Sequence, residues 1–277
     1  PQFMSTHPSS QNRIENLIRR SLPYFFALLL FATLVAAMFG YVAHNSWKMG
    51  DWLINYQGGM IRRGLLGEVI YQLAHFTHIN PGLYVVAFQM FFFATFFVFS
   101  FAMLKKQHSL LPYAFLIFSP FIFTFQINDL AGGFRKEIIF FALLAFTVWF
   151  ATVKEHKAFE KIFYLTLFLY PVVILTHEML IVFLPYLLVV YFSVTALTKK
   201  KFLIILLLLV PSICSILVTI YYAELTTSQI AEIFNSISRE NYALQGGAIT
   251  WLDKDAYYLK NHLIELMELY HCKYYLF

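Results

Sequence analysis

Long apolar stretches, separated by short polar connections, dominate this sequence. Each stretch is too long and too uniformly apolar for the alternating pattern of a membrane β-strand, so helices are indicated. A helix rises about 1.5 Å per residue, and about 20 residues cross the ~30 Å hydrocarbon core of a bilayer. The pattern predicts an all-α, polytopic membrane protein with about seven transmembrane helices. The predicted helices are 22–41, 83–104, 110–127, 134–153, 162–176, 179–196 and 202–222.

The composition agrees with a membrane environment. Of the 277 residues, 60% are hydrophobic and only 13% are charged, and the mean hydropathy is +0.67. Soluble domains carry about 25% charged residues, so a soluble enzyme, a nucleic-acid-binding module and a disordered chain are excluded. The net charge of +5 needs no nucleic-acid partner, because membrane proteins collect Lys and Arg in cytoplasmic loops. Cys214 lies in an apolar stretch and Cys272 near the end of the chain, so no disulfide is expected.

The basic residues predict the orientation. If seven helices alternate, eleven Lys and Arg fall on one side and five on the other, with the tail excluded. Because basic residues favour the cytoplasm, we predict a cytoplasmic N-terminal segment (1–21) and a transmembrane domain (22–222). Residues 45–82 then form an extracytoplasmic loop, and 223–277 an extracytoplasmic tail. Because residues precede Met4 and the tail ends in an apolar run, we also expect a fragment or a truncated reading frame.

The loop after the first helix carries the most informative polar pattern. From Ile61 onward, apolar residues recur at helical spacing, which predicts an amphipathic helix in the membrane interface. Arg62 and Arg63 have no carboxylate three or four residues later, and Gly58 and Gly59 permit a tight turn or close approach to a ligand. Two arginines at a helix N-terminus can bind a phosphate. The alternative is contact with lipid headgroups.

A second turn repeats this arrangement. Asp129 is followed by two glycines at 132–133, and Arg135 and Lys136 then precede an apolar helix. Cations on the extracytoplasmic side run against the charge bias, so we expect an anionic ligand that both turns share. The alternative is an ordinary helix N-terminus at which Glu137 interacts with the dipole.

Three further residues are candidates for proton chemistry. His177 and Glu178 join two apolar stretches with almost no loop. Ionisable groups at such a depth are costly and commonly line a polar cavity; a tight turn in interfacial water is the alternative. Asp51 follows the first helix and precedes the cationic helix, as a general base beside a phosphate leaving group would. The alternative is a solvated loop carboxylate.

The residues themselves predict no metal site and no cofactor. His75 with His78, and His262 with Glu265, each offer two possible ligands, and no third residue joins either pair in the sequence. A stable protein site for a transition metal needs at least three.

These features occur together in a known group of proteins. Asp51 with 55–67, followed by 132–136, His177 and Glu178, resembles the uncharacterised polytopic proteins of bacterial surface-polysaccharide biosynthesis. The arrangement is similar to the GT-C class of lipid-linked sugar transferases, in which an acidic residue and an interfacial helix lie in the first outer loop. The resemblance implies a multi-pass protein of the bacterial inner membrane. It implies a polyprenyl-phosphate-linked sugar and a glycan acceptor as partners, beside the lipid bilayer.

The resemblance also implies residue roles. Asp51 would be the general base or would assist a divalent metal, and Arg62, Arg63 and Arg135 would contact a lipid pyrophosphate, as outer arginines do in polysaccharide polymerases. Glu178 is a second candidate base, and Lys136 a further phosphate ligand.

We therefore expect transfer or polymerisation of lipid-linked sugars. The alternatives are a transporter or flippase of a glycan precursor, with His177 and Glu178 on its path, and a non-catalytic assembly partner. Ionisable residues within the predicted helices are nearly absent otherwise, which favours chemistry at the surface.

Overall fold

The computed structural model describes residues 10–120, 122–129, 132–153, 156–254 and 256–269. Within these ranges every regular element is helical, as the apolar pattern predicts. Met4 and Cys272 lie outside the described residues. The α-helices are α1 (Ser10–Val42), α2 (Ser46–Leu53), α3 (Gly64–Thr77), α4 (Pro81–Lys105), α5 (Ala114–Ile117), α6 (Phe125–Asn128), α7 (Glu137–Val153), α8 (His156–Thr176), α9 (Leu184–Val194), α10 (Lys199–Tyr221), α11 (Thr227–Arg239) and α12 (Ala256–Leu269).

Four of these helices are long and apolar enough to cross a membrane, namely α1, α4, α8 and α10. Two apolar segments are shorter: α7, with 17 residues, and the run from Glu178 to Val194. Large hydrophobic side chains such as Phe31, Leu207 and Ile220 are more than half exposed on the long helices. Outward apolar faces of this kind suit a lipid solvent, so the protein has the character of a helical membrane protein.

The bundle is built around α4, α7 and α8. Helix α4 packs between α1 and α7, while α8 packs against both α7 and α10. The core is rich in phenylalanine: the ring of Phe26 meets those of Phe97, Phe101 and Phe123 at centroid distances of 5.2–6.2 Å. Edge-to-face contacts of this type fix the relative rotation of neighbouring helices.

The third predicted helix, 110–127, is not a continuous helix. It consists of a 3₁₀ turn at Leu111–Tyr113, then α5 and α6, with irregular chain between them. Pro112 and Pro120 explain the breaks, because proline lacks an amide hydrogen and restricts the residue before it. The segment nevertheless runs along α1, with Phe118 against Phe25 and the Gln126 amide bonded to Thr33 (2.8 Å).

Three other helices differ from their predicted bounds. Helix α1 begins at Ser10, twelve residues before the predicted start at 22, because its first turns are polar and the apolar pattern does not include them. Helix α8 begins at His156, so it has 21 residues instead of the short span of 162–176; its first turns are polar, and the apolar pattern misses them. The stretch predicted as a helix at 179–196 begins as a 3₁₀ segment, Glu178–Phe183, and becomes α-helical at Leu184. Pro185 sits in the first turn of α9, where proline is tolerated.

Two ends of the bundle can be distinguished by their contacts. At one end, the Glu15 carboxylate accepts hydrogen bonds from the Leu110 amide (2.9 and 3.0 Å), and the Lys106 ammonium lies over the Trp149 ring (4.5 Å). Lys201 pairs there with Glu160. Several of the basic connections therefore lie together, opposite the end that carries α2 and α3.

The tail folds onto the end that carries α2 and α3. Helix α11 starts with a capping box between Thr226 and Gln229 and presents Ile230, Ile233 and Ile237 as its buried face. The Asn55 amide donates to the Ser236 hydroxyl (3.0 Å). The tail is therefore packed against the first loop.

Candidate functional site

A cluster of ionisable side chains lies where α2 and α3 meet the start of α7 and the end of α8. Three of its members are buried and four are partly buried, and they come from four segments of the chain. Each of these segments contains residues that the sequence analysis proposes for the site. The members are Asp51, Arg62, Arg63, Lys136, Glu137, His177 and Glu178.

Helix α2 carries Asp51 into the cluster. The sequence analysis does not predict this helix, although Asn45 gives a capping signal: its side chain accepts from the amides of Trp47 (3.1 Å) and Lys48 (2.9 Å). Beside Asp51, the fully buried Trp52 donates from its indole nitrogen to the Phe134 carbonyl (2.5 Å). This bond fixes α2 against the turn that leads into Lys136.

Close backbone contacts place Arg63 at the start of α3. Arg63 is the N-cap residue and has a left-handed backbone, with φ +66°. A Cβ added at Gly67 would lie 1.8 Å from the Ile54 carbonyl oxygen, so only glycine permits this approach. The Glu68 carboxylate accepts from the Tyr56 amide (2.9 Å) and holds the preceding loop on α3.

Arg63 and Glu178 form a bidentate ion pair. The Arg63 Nε lies 3.0 Å from both carboxylate oxygens of Glu178, and its Nη2 lies 2.8 Å from Oε1. The two side chains are 26% and 13% exposed. The arginine fork that the sequence analysis assigns to a phosphate therefore binds a carboxylate of the protein.

Lys136 links the first loop to the end of α8. Its ammonium, which is completely buried, donates to the carbonyl oxygens of Arg63 (2.8 Å) and Thr176 (3.2 Å). Burial lowers the pKa of Lys136 to about 8, and the charge of Asp51 opposes this shift. The lysine is thus still largely protonated at neutral pH.

Asp51 is buried beside these cations. Burial favours its neutral form, but the charges of Lys136, His177 and Arg63 outweigh it and hold its pKa below the usual value of 3.8. Asp51 is therefore ionised at neutral pH. Its position among the other candidates distinguishes it from the solvated loop carboxylate that the sequence left open.

Several buried polar atoms of the cluster have no hydrogen-bond partner within the described residues. They are Asp51 Oδ1, Arg62 Nε, Glu137 Oε2 and His177 Nδ1. Buried polar atoms are normally satisfied, and their concentration in one place points to a site that receives a polar ligand or water.

The glycines and Asp129 have structural roles around the cluster. A Cβ at Gly58 would lie 2.1 Å from the Gln229 carbonyl oxygen, so the close approach here is to α11 of the protein itself. Gly59 has φ +118° and faces the Gln229 side chain. Asp129 shapes the second turn, because its Oδ1 accepts from the Gly132 amide (2.7 Å).

Arg135 lies at the exposed edge of the cluster. Its side chain is 63% exposed and lies 4.0 Å from Glu137. It lines a cavity of about 470 Å³ between α4, α6 and α7, together with Gln126 and Phe141. Of the predicted phosphate ligands, Arg135 is therefore the most exposed, and its charge acts on Asp51 more weakly than those of Lys136 and Arg63.

The donor set does not match a divalent metal. In the part of the chain that the structure describes, no three His, Cys, Asp or Glu side chains are grouped closely enough to hold a metal ion. Around Asp51 the strongest charges come from Lys136, His177 and Arg63, two of which are permanent or near-permanent cations. Such neighbours favour an anionic ligand over a metal cation.

Sequence reasoning missed the contacts that assemble this site. Trp52 and Gln89, whose amide donates to the Lys48 carbonyl (2.8 Å), hold α2 in place. Trp52 adjoins Asp51 in the sequence, and a tryptophan there was a signal for a buried segment. Gln89 is the one amide side chain in the apolar run of α4, which was the signal for an internal partner.

Comparisons with protein-family models, with curated proteins and with solved structures found no match to this chain.

Proposed function

We propose that this protein transfers or polymerises sugars carried on a polyprenyl phosphate, at the extracytoplasmic face of a bacterial inner membrane. The observation that carries the proposal is the buried, ionised carboxylate of Asp51 among cations, with unsatisfied polar atoms around it. A glycosyl transfer of this type needs a base for the acceptor and a positive charge for the departing phosphate.

Asp51 is the base in this proposal. The acceptor hydroxyl attacks the anomeric carbon of the lipid-linked sugar, its proton goes to Asp51, and the bond from that carbon to the phosphate oxygen breaks. The phosphate leaves with the electron pair. Glu178, the other candidate, has both carboxylate oxygens engaged by Arg63, so its role is to position that arginine.

Arg62 is our candidate for stabilising the leaving phosphate, because it has an unused buried donor within the described residues. It adjoins Arg63, its Nε has no partner within the described residues, and the charge of Glu178 acts on it. Lys136 balances the charge of Asp51, so it keeps the base ionised and in place. His177, whose Nδ1 has no hydrogen-bond partner in the part of the chain that the structure describes, is available to bind the sugar or the acceptor.

The test is the replacement Asp51→Asn in cells that depend on this protein for a surface glycan. The asparagine keeps the size of the side chain but cannot take up a proton, so glycan output should fall by about 10²–10⁴-fold while lipid-linked precursors accumulate. Glu160→Gln is the control, since it makes the same change from carboxylate to amide at Glu160, which pairs with Lys201 at the opposite end of the bundle. Unchanged output from Asp51→Asn, at equal protein level, would rule out Asp51 as the base.

Lipid transport is the second candidate function, because Lys136 and His177 are ionisable groups buried between apolar helices. Movement of a lipid-linked sugar across vesicles, retained in Asp51→Asn, would favour it over transfer.

A further inference from the structure

A long apolar groove runs along the side of the bundle toward the cluster. Helices α4 and α8 form its walls, α7 forms its floor, and α3 covers its end through Leu66. The groove encloses about 510 Å³. Its lining is almost entirely hydrocarbon, with Thr95, Thr166 and Thr176 as the polar exceptions.

The groove opens on the surface that faces lipid. Four of its lining residues are about half exposed or more, and they lie on the outward sides of α4 and α8: Phe91 at 62%, Leu165 at 56%, Leu169 at 48% and Val172 at 50%. A molecule can therefore enter it sideways, from the membrane, without crossing the polar end of the bundle.

The covered end of the groove adjoins the cluster of charges. Leu66 lies three residues after Arg63, on the first turn of α3. Thr176, at the same end, provides the carbonyl that accepts a hydrogen bond from Lys136 (3.2 Å). Helix α3 and the end of α8 therefore contribute both to the apolar groove and to the cationic cluster.

We propose that this groove binds the hydrocarbon chain of the polyprenyl-phosphate substrate, which enters laterally from the bilayer and places its phosphate beside Arg62. This inference rests on the proposed function and adds the route and the binding surface of the lipid part. The match is one of chemistry: a single molecule that is apolar along its length and anionic at one end fits a groove with the same polarity. Packing of the polyprenyl chain on aromatic and aliphatic side chains would supply affinity. The cations would orient the lipid with its phosphate toward the cluster.

Photocrosslinking tests the proposal. Benzoylphenylalanine is placed at Leu169, in the groove, or at Phe168, which is 61% exposed on the same helix but does not line it. The protein is reconstituted in phosphatidylcholine vesicles that contain a minor fraction of a polyprenyl phosphate, and the lipid adducts are identified by mass spectrometry. At Leu169 the ratio of polyprenyl to phosphatidylcholine adducts should exceed that at Phe168 by about tenfold, which corresponds to about 1.4 kcal/mol.

A second arm uses the uncharged polyprenol in place of its phosphate. The preference at Leu169 should then fall, and Arg62→Ala should reduce it for the phosphate to the same level. Equal ratios at the two positions would mean that bulk phospholipid fills the groove, and this would overturn the proposal. An equal preference for polyprenol and polyprenyl phosphate would overturn the link between groove and cluster.

Blocking variants give an independent readout in cells. Val173→Trp adds bulk at a less exposed residue of the groove lining and should lower glycan output, whereas Phe168→Trp adds bulk on the outer side of α8 and should not. Asp51→Asn should retain the adduct preference, because the base is not needed for binding. If Asp51→Asn leaves transfer intact and the preference for polyprenyl adducts at Leu169 is retained, Asp51 is not the base, whereas binding of the lipid in the groove remains supported.

Discussion

The pairing of Arg63 with Glu178 gives a direct test of how the cluster is held together. Neither side chain is more than 26% exposed, and three hydrogen bonds join them. Breaking a fully buried ion pair on one side costs about 3–5 kcal/mol, whereas exposed pairs contribute about 0–1 kcal/mol. Because this pair is partly screened, we expect Glu178→Gln to destabilise the protein by about 2 kcal/mol.

A double-mutant cycle isolates the interaction. Each single variant, Arg63→Gln or Glu178→Gln, leaves one charge without its partner, whereas the double variant removes both. We therefore expect a coupling free energy of about 2 kcal/mol, since residues of one ion-pair network commonly couple by about 0.5–3 kcal/mol. Denaturant titration of each purified variant in detergent micelles measures its free energy of unfolding.

The pair formed by Arg239 and Glu232 is the matched control. Its atoms are equally close, at 2.7 Å, but its side chains are 56% and 39% exposed. Because burial is the source of the expected coupling between Arg63 and Glu178, the same cycle on α11 should give a much smaller coupling free energy. A coupling between Arg63 and Glu178 no larger than that of the control would refute the role of burial.

Two further predictions concern charge and orientation. Sugar transfer should decline as the pH rises through about 8, because Lys136 then loses the proton that balances Asp51. The unfolded chain keeps that proton to about pH 10.5, so deprotonation of Lys136 favours the folded state over this interval. Deprotonation of Lys136 therefore does not lower transfer by unfolding the protein. A pH profile of transfer by the purified protein that stays flat to pH 10 would contradict the predicted decline. In a background without native cysteines, Ala43→Cys should react with an impermeant thiol reagent from outside the cell and Lys106→Cys should not, and the reverse pattern would place the cluster on the cytoplasmic side.

The helices of this protein could be predicted from sequence because apolar periodicity is a local property. The amphipathic helix after Ile61 corresponds to α3, and the second and seventh predicted helices fall within a residue or two of α4 and of α10, apart from the polar first turn of the latter. The segment 110–127 could not be predicted in this way. Its composition is that of a spanning helix, and the two prolines that interrupt it act through geometry that hydropathy does not contain.

The sequence predicted most of the residues of the site but not the contacts between them. The sequence identified two cationic turns and the pair at 177–178 as candidates, since charges beside apolar helices are rare. It did not show that Arg63 pairs with a carboxylate 115 residues away, or that Lys136 is buried. Both facts depend on which helix ends meet, and therefore on tertiary packing.

The charges of the four segments explain why an anionic substrate suits this site. Asp51 is balanced chiefly by Lys136, Glu178 by Arg63, and Glu137 has Arg135 at 4.0 Å. Arg62 then forms no ion pair of its own among the members of the cluster within the described residues; the charge of Glu178 acts on it, and that of Glu224 from the tail acts more weakly. A phosphate delivered beside Arg62 would compensate that charge without breaking an existing pair.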